Sequence, residues 1–350
     1  MQEKLLQRFL RYVAVPSQSN AANANVPSSE GQRKLAELLK QDLAELGLVD
    51  LEISEYSVLT GKLPAYLPEG CTKEVPAVGW CAHLDTIDIN MSPEIHPQVV
   101  KNYQGGDVCL NKEKDIWIRT AEHPELEKYV GEDIVFTDGT SVLGADNKAA
   151  IANIMVALET IVNEKRCHGD IYVAFVPDEE IGLRGSKKMD FSKFPVKFAY
   201  TIDCCELGEV VYQTFNAGTA IVKIKGVSAH PMSAKGVLIN PTLLAVDLVN
   251  MFDRTQTPEC TEGTEGYIWV KSIVSNDTYA TVTLDIRDHN KKRYEERKAE
   301  IAANAEKLQA MYPRAEVTCT MSDTYGNIND AVTEDLSLIH ISEPTRPEPI

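Results

Sequence analysis

Four small groups of acid and histidine punctuate the first part of the chain: His83 with Asp85, then Asp146, then the adjacent Glu179 and Glu180, then Asp203. Each lies where an apolar run of strand length ends or where a helical pattern begins. In an open parallel sheet those ends line one crevice. So many carboxylates in one cleft repel each other unless cations neutralise them, and one imidazole among several oxygen donors suits zinc or a similar divalent ion. A metal centre is the economical reading. A carboxylate two residues beyond His83 is placed to orient the imidazole from behind, which is the position of Asp85. Adjacent glutamates on a turn cannot both face the same atom, so one holds metal while the other takes a proton from water; Glu179 is read as the base and Glu180 as the ligand. Two metals about 3.5–4 Å apart need a shared carboxylate, and Asp146, opening a helix within GADNKAA, is the candidate bridge.

The elements that position these groups are legible around them. Leu5, Leu6, Phe9, Leu10 and Val13 share one helical face, and Pro16 stops that helix. A second helix covers 30–46 and ends at Gly47. Apolar runs then alternate with helical patterns: PAVGWCAHLDT, DNKAAIANIMVALETIV, DIYVAFVPDEE and KFAYTIDCCE. That alternation predicts an α/β domain on a mostly parallel sheet, with Ile151, Ile154, Met155, Leu158 and Ile161 packing the central helix onto it. From Thr214 the pattern becomes strand 219–225, helix 241–252, strands 267–273 and 280–287, helix 293–311 and strand 315–321. This is the split βαβ order of a ferredoxin-like α+β sandwich, with Val282, Leu284 and Ile286 facing its covered side. The expected organisation is a catalytic domain over 1–213, an inserted smaller domain over 214–325 and the start of a return to the first domain over 326–335.

Composition narrows the function. With 35 basic and 52 acidic residues the formal charge is −17, which repels phosphate backbones and anionic membrane surfaces, so neither nucleic acid nor membrane is an expected partner. No apolar stretch approaches the roughly 20 residues of a spanning helix, and the amino terminus lacks a signal-peptide pattern; a cytoplasmic location is expected. The eight cysteines are scattered without paired ligand spacing, so reduced thiols are expected.

HLDT at 83–86, GAD at 144–146, PDEEIG at 177–182 and TID at 201–203 resemble the motif set of the M20 metallopeptidases. The wider pattern, through KNYQGGD, FNA, HPMSAKG, TEGTEGY and IRD, resembles the family's tripeptide aminopeptidase branch from the first helix to about residue 335. The resemblance implies a zinc-peptidase catalytic domain carrying an inserted lid that often mediates homodimers. It implies two zinc ions, one held by His83, Asp146 and Asp203, the other by Asp146, Glu180 and a histidine late in the chain. Glu179 would activate a water bridging the ions, and Asp85 would support His83. His230 matches a lid histidine that stabilises the oxyanion, and Arg287 is placed by its fork geometry to hold a substrate carboxylate. Short peptides would be the substrates, losing their amino-terminal residue. The alternatives are another M20 amide hydrolase, whether dipeptidase, carboxypeptidase or deacetylase, or an inactive truncated chain.

Three departures stand against the family pattern. Asn147 occupies a position where a second acid is common, and Cys204 and Cys205 replace glycines; tuning rather than loss is expected from both. The family's late glycine-rich segment and last metal histidine have no counterpart in this sequence, so the second zinc site is expected to be incomplete within it. Residues 336–350, LSLIHISEPTRPEPI, continue no pattern, and 336–346 look like a translated sequencing adapter, so His340 is not taken for that ligand.

Overall fold

The computed structural model describes residues 1–72, 74–203, 209, 211 and 213–332. Cys204, Cys205, His340 and the adapter-like tail lie outside the described residues. The chain divides into two compact units, Met1–Cys205 and Glu206–Ile350.

In the first unit, helices α1 (Gln2–Val13) and α2 (Glu30–Glu45) precede strands β1 (Val49–Ile53), β2 (Leu59–Leu63) and β3 (Val78–His83). Four short strands follow, β4 (Pro97–Val100), β5 (Val108–Asn111), β6 (Ile116–Ile118) and β7 (Ile134–Thr137). Helix α3 (Ala145–Asn163) and strands β8 (Ile171–Val176) and β9 (Phe198–Thr201) complete the unit. The main sheet has the order β1-β2-β8-β3-β9. Strand β3 runs parallel to both β8 and β9, whereas β1 and β2 add an antiparallel flank. The parallel part is the half that the apolar runs predict. The flank and the small β4–β7 and β5–β6 sheets were not read from the sequence.

The core explains these elements. Strand β8, IYVAFV, is apolar throughout and sits between neighbours on both sides, as a central strand must. Helix α3 buries Ile151, Ile154, Met155 and Leu158 as its periodicity requires, while Ile161 is only half-buried at the rim. Leu35, Leu39 and Leu43 of α2 and Tyr12 and Val13 of α1 close the same core. Replacing fully buried Leu158 by Ala should destabilise this unit by about 2–5 kcal/mol, read from denaturant unfolding with an unchanged slope.

The second unit contains β10 (Asn216–Lys225), α4 (Pro241–Val249), β11 (Tyr267–Ser275), β12 (Tyr279–Asp288), α5 (Lys291–Met311) and β13 (Glu316–Tyr325). Its sheet order is β11-β12-β10-β13 with every pairing antiparallel, the ferredoxin-like arrangement. Ala280, Val282, Leu284 and Ile286 face Leu244, Leu248, Ile301 and Leu308 of the two helices. On the other side of β12, Asp285 accepts hydrogen bonds from Thr219 Oγ1 at 2.9 Å and Lys271 Nζ at 3.0 Å. No helix among the described residues is long and apolar enough to cross a membrane.

Candidate metal centre

The first unit places its acid groups where strands end. His83 is the last residue of β3, Glu179 and Glu180 lie just beyond β8, Asp203 lies just beyond β9, and Asp146 opens α3. Gly144 caps that helix at φ +70, a left-handed conformation that glycine adopts without a Cβ penalty. A Cβ there would stand 3.0 Å from both Ile95 Cδ1 and Thr86 Cγ2. Beyond the cap, Asp146 and Asn147 keep non-helical backbone angles, and their shared peptide is cis.

His83 is the hub. It is 2% exposed, with Nδ1 lying 3.0 Å from the carbonyl oxygen of Asp85 and 3.4 Å from Asp85 Oδ1. Its Nε2 lies 2.8 Å from Asp146 Oδ1, 3.9 Å from Asp203 Oδ2 and 4.0 Å from Glu179 Oε2. His83, Asp146 and Glu180 each present a donor atom within 4.8 Å of the others, and so do His83, Glu179 and Asp203. Both glutamates of the pair therefore reach the cluster. The resemblance puts Asp146 and Asp203 on one ion with His83, and an oxygen of each lies within 4 Å of His83 Nε2.

The electrostatics match the crowding. Burial pulls the His83 imidazolium down, but hydrogen bonds to Asp146 and Asp85 and the nearby carboxylates outweigh it and raise its pKa to about 10. The hydrogen bond to His83 holds Asp146 below the usual carboxylate range. Burial and the charge of Asp146 push Glu180 up to about 7. Burial, with help from neighbouring carboxylates, also raises Glu179 and Asp203. Among the described residues, no lysine or arginine forms an ion pair with any of these acids. An imidazole nitrogen amid carboxylates that resist ionising together is a donor set that fits a divalent cation.

Asp85 does more than support the imidazole. It is fully buried, and its two carboxylate oxygens accept the backbone N–H groups of Glu179 at 2.9 Å and Glu180 at 3.1 Å. One acid thus fixes both the histidine and the turn that carries the glutamates, a link between residues 94 and 95 positions apart that local spacing does not display. Lys148 was also missed. It is completely buried, its Nζ donates to Val15 O at 2.7 Å, and burial pulls its pKa down to about 7. Its only sequence signal is position, four residues past Gly144 in GADNKAA.

The two substrate-binding candidates lie in the second unit. His230 precedes a short exposed turn, where its Nδ1 accepts the Met232 N–H at 3.3 Å. Arg287, on β12, donates from Nη1 to Gly218 O and Ile286 O and lies over the Phe215 ring at 5.6 Å.

Known proteins are similar to this chain in sequence and in fold. A family model described as the M20 peptidase dimerisation domain matches residues 212–313, and one described as M42 glutamyl aminopeptidase matches 121–238. A peptidase T-like protein of Yersinia pestis is 50% identical over 341 residues, covering 97% of this chain and 82% of the relative. Peptidase T of Enterococcus faecalis is 39% identical over 350 residues, covering 99% of this chain and 84% of the relative. The chain belongs to the peptidase T family. It is accordingly an M20-type metallopeptidase, and the acid cluster on the first unit is its candidate metal centre. A tripeptidase crystal structure from Staphylococcus aureus has the same fold, with a TM-score of 0.70 at 20% identity over 93% of this chain and 77% of that one. The α/β fold with a ferredoxin-like second domain is thus the one found in a solved tripeptidase structure.

Proposed function

We propose that this member of the peptidase T family is a two-zinc aminopeptidase that releases the amino-terminal residue from tripeptides. The observation that carries the reading is the convergence of Asp146, Glu179, Glu180 and Asp203 on buried His83. His83, Asp146 and Asp203 would hold one ion, and Asp146 and Glu180 would supply two of the donors to the other. When bound, the metal pair lowers the pKa of a water and polarises the scissile carbonyl. Glu179 accepts a proton from the attacking water at its carboxylate and delivers it to the departing amine nitrogen. Burial and the neighbouring carboxylates raise its pKa against the pull of His83, which favours holding the proton between the two transfers. Asp85 holds the backbone of that glutamate and the ring of His83 in register. His230 is assigned to the developing oxyanion and Arg287 to the substrate carboxylate, roles that suit a donor imidazole and a forked guanidinium. Tripeptide length is supported by the solved tripeptidase of the same fold. The match to a dimerisation domain supports a homodimer, and a cytoplasmic site of action is part of the same proposal.

The test is a substrate panel. The chain is stripped with chelator, reloaded with zinc, cobalt or manganese, and given tripeptides, dipeptides and acylated amino acids. Fast release of the amino-terminal residue from tripeptides is the expected result. Faster cleavage of dipeptides or acylated amino acids would move the assignment to another M20 amide hydrolase. No release from any of them would end the aminopeptidase reading.

A further inference from the structure

The acid that precedes the glutamate pair has no role in the mechanism above, yet it is fully buried. Asp178 adopts φ +55, in the left-handed region that residues other than glycine seldom occupy. Its Oδ2 accepts the Ser28 N–H at 2.8 Å, and its Oδ1 accepts Ser28 Oγ at 2.5 Å and Gln32 Nε2 at 2.7 Å. Gln32 is itself fully buried and returns a bond, its Oε1 accepting the Asp178 N–H at 2.9 Å. Among the described residues, no lysine or arginine forms an ion pair with this carboxylate, so neutral donors alone stabilise it. A buried carboxylate is costly without such donors.

The bonds continue along the chain. The N–H groups of Asp178, Glu179 and Glu180 all go to side-chain acceptors, the first to Gln32 Oε1 and the next two to Asp85. The turn is therefore held from α2 on one side and from the end of β3 on the other, by side chains rather than by a strand or helix ladder. Arg184 closes it, donating to Asn23 O at 2.6 Å and Ala21 O at 3.2 Å.

We propose that Asp178 is a positioning residue of the metal centre, fixing through Ser28 and Gln32 the turn from which Glu179 and Glu180 reach His83. The inference rests on the metallopeptidase reading only for what the two glutamates then do. Outer partners of this kind change metal affinity or activity by about 10–100-fold when removed.

Asp178→Asn keeps the shape but sets an amide donor against either the Ser28 N–H or the Gln32 amide. Combining it with Gln32→Glu restores the match with polarity reversed, since the asparagine amide now donates to the new carboxylate. The measurements are zinc affinity by competition with a chromophoric chelator, kcat and KM on a tripeptide at saturating zinc, and the melting temperature without metal. The single variant should bind zinc about tenfold more weakly and lose about tenfold or more in kcat, with KM within about twofold. The double variant should recover most of both losses. Unchanged zinc affinity, with kcat falling only as the folded fraction falls, would overturn the proposal, and so would a double variant no better than the single one. If the unaltered chain binds zinc but cleaves nothing, the peptidase reading fails while the zinc affinities still decide this inference. A chain that binds no zinc overturns both. Should Asp178→Asn not fold, Ser28→Ala removes only the hydroxyl bond and should weaken zinc binding about threefold, and no shift there would count against the proposal.

Discussion

Glu179→Gln should lower kcat by about 10²–10⁴-fold while leaving KM within about twofold, because it removes the proton acceptor and keeps the shape of the side chain. The same variant should be more stable than the unaltered chain when metal is stripped. Burial raises the Glu179 pKa, His83 pulls it back, and Asp203, Asp85 and Asp146 raise it further; the net shift is upward, so the folded state resists the ionised form more than the unfolded state does. A neutral amide escapes that cost, and the metal-free melting temperature should rise. Activity and stability thus move in opposite directions at one residue, which a residue with a purely structural role would not show. Glu180→Gln separates the roles of the neighbours. It should weaken zinc binding as well as kcat, whereas Glu179→Gln should leave the zinc content intact. Retention of more than a tenth of kcat in Glu179→Gln would remove it as the base.

The contrast between these neighbours also shows which parts of the site the sequence displays. Strands β3, β8 and β9 end on His83, the glutamate pair and Asp203 because apolar runs are long enough to be seen and acids follow them directly. The second unit is legible for a similar reason, since Val282, Leu284 and Ile286 alternate with residues of the other face. Strand β1, VDLEI, carries two acids on a largely exposed edge, and β2, LTGKL, is short and broken by a glycine. Neither offers a run that stands out from a loop, so the antiparallel flank went unread. What holds the site together was hidden for a different reason. Asp178 meets Ser28 and Gln32 across 150 and 146 positions, and Asp85 meets the glutamate amides across 94 and 95. A motif shows which side chains are present, whereas such partners are set by how strands and helices stack. Lys148 was missed because lysine is seldom fully buried, and only the core around α3 reveals that this one is.

Zinc binding to the stripped chain should release protons, in a number that falls as pH rises. With the His83 pKa at about 10 and the Glu180 pKa at about 7, roughly one and a half protons must leave at pH 7 and about one at pH 9. Calorimetric titration in two buffers of different ionisation enthalpy counts them. The same two groups set the stability of the metal-free chain. For His83 the folded pKa lies above the unfolded value of 6.5, so its contribution is complete below pH 6.5 and is lost as pH rises towards 10. Glu180 is a carboxylate with a raised rather than lowered pKa, so its protonated form favours the fold below about pH 4.5, and that advantage is lost by about pH 7. Both losses run the same way. Bound cation removes them by pairing with the deprotonated imidazole and the ionised carboxylates, and ligation adds its own mass-action stabilisation. Chelator should therefore lower the melting temperature more at pH 9 than at pH 6. A gap that stays constant across that range, or zinc uptake without proton release, would mean that His83 and Glu180 are not displaced from their protonated states and do not ligate the metal.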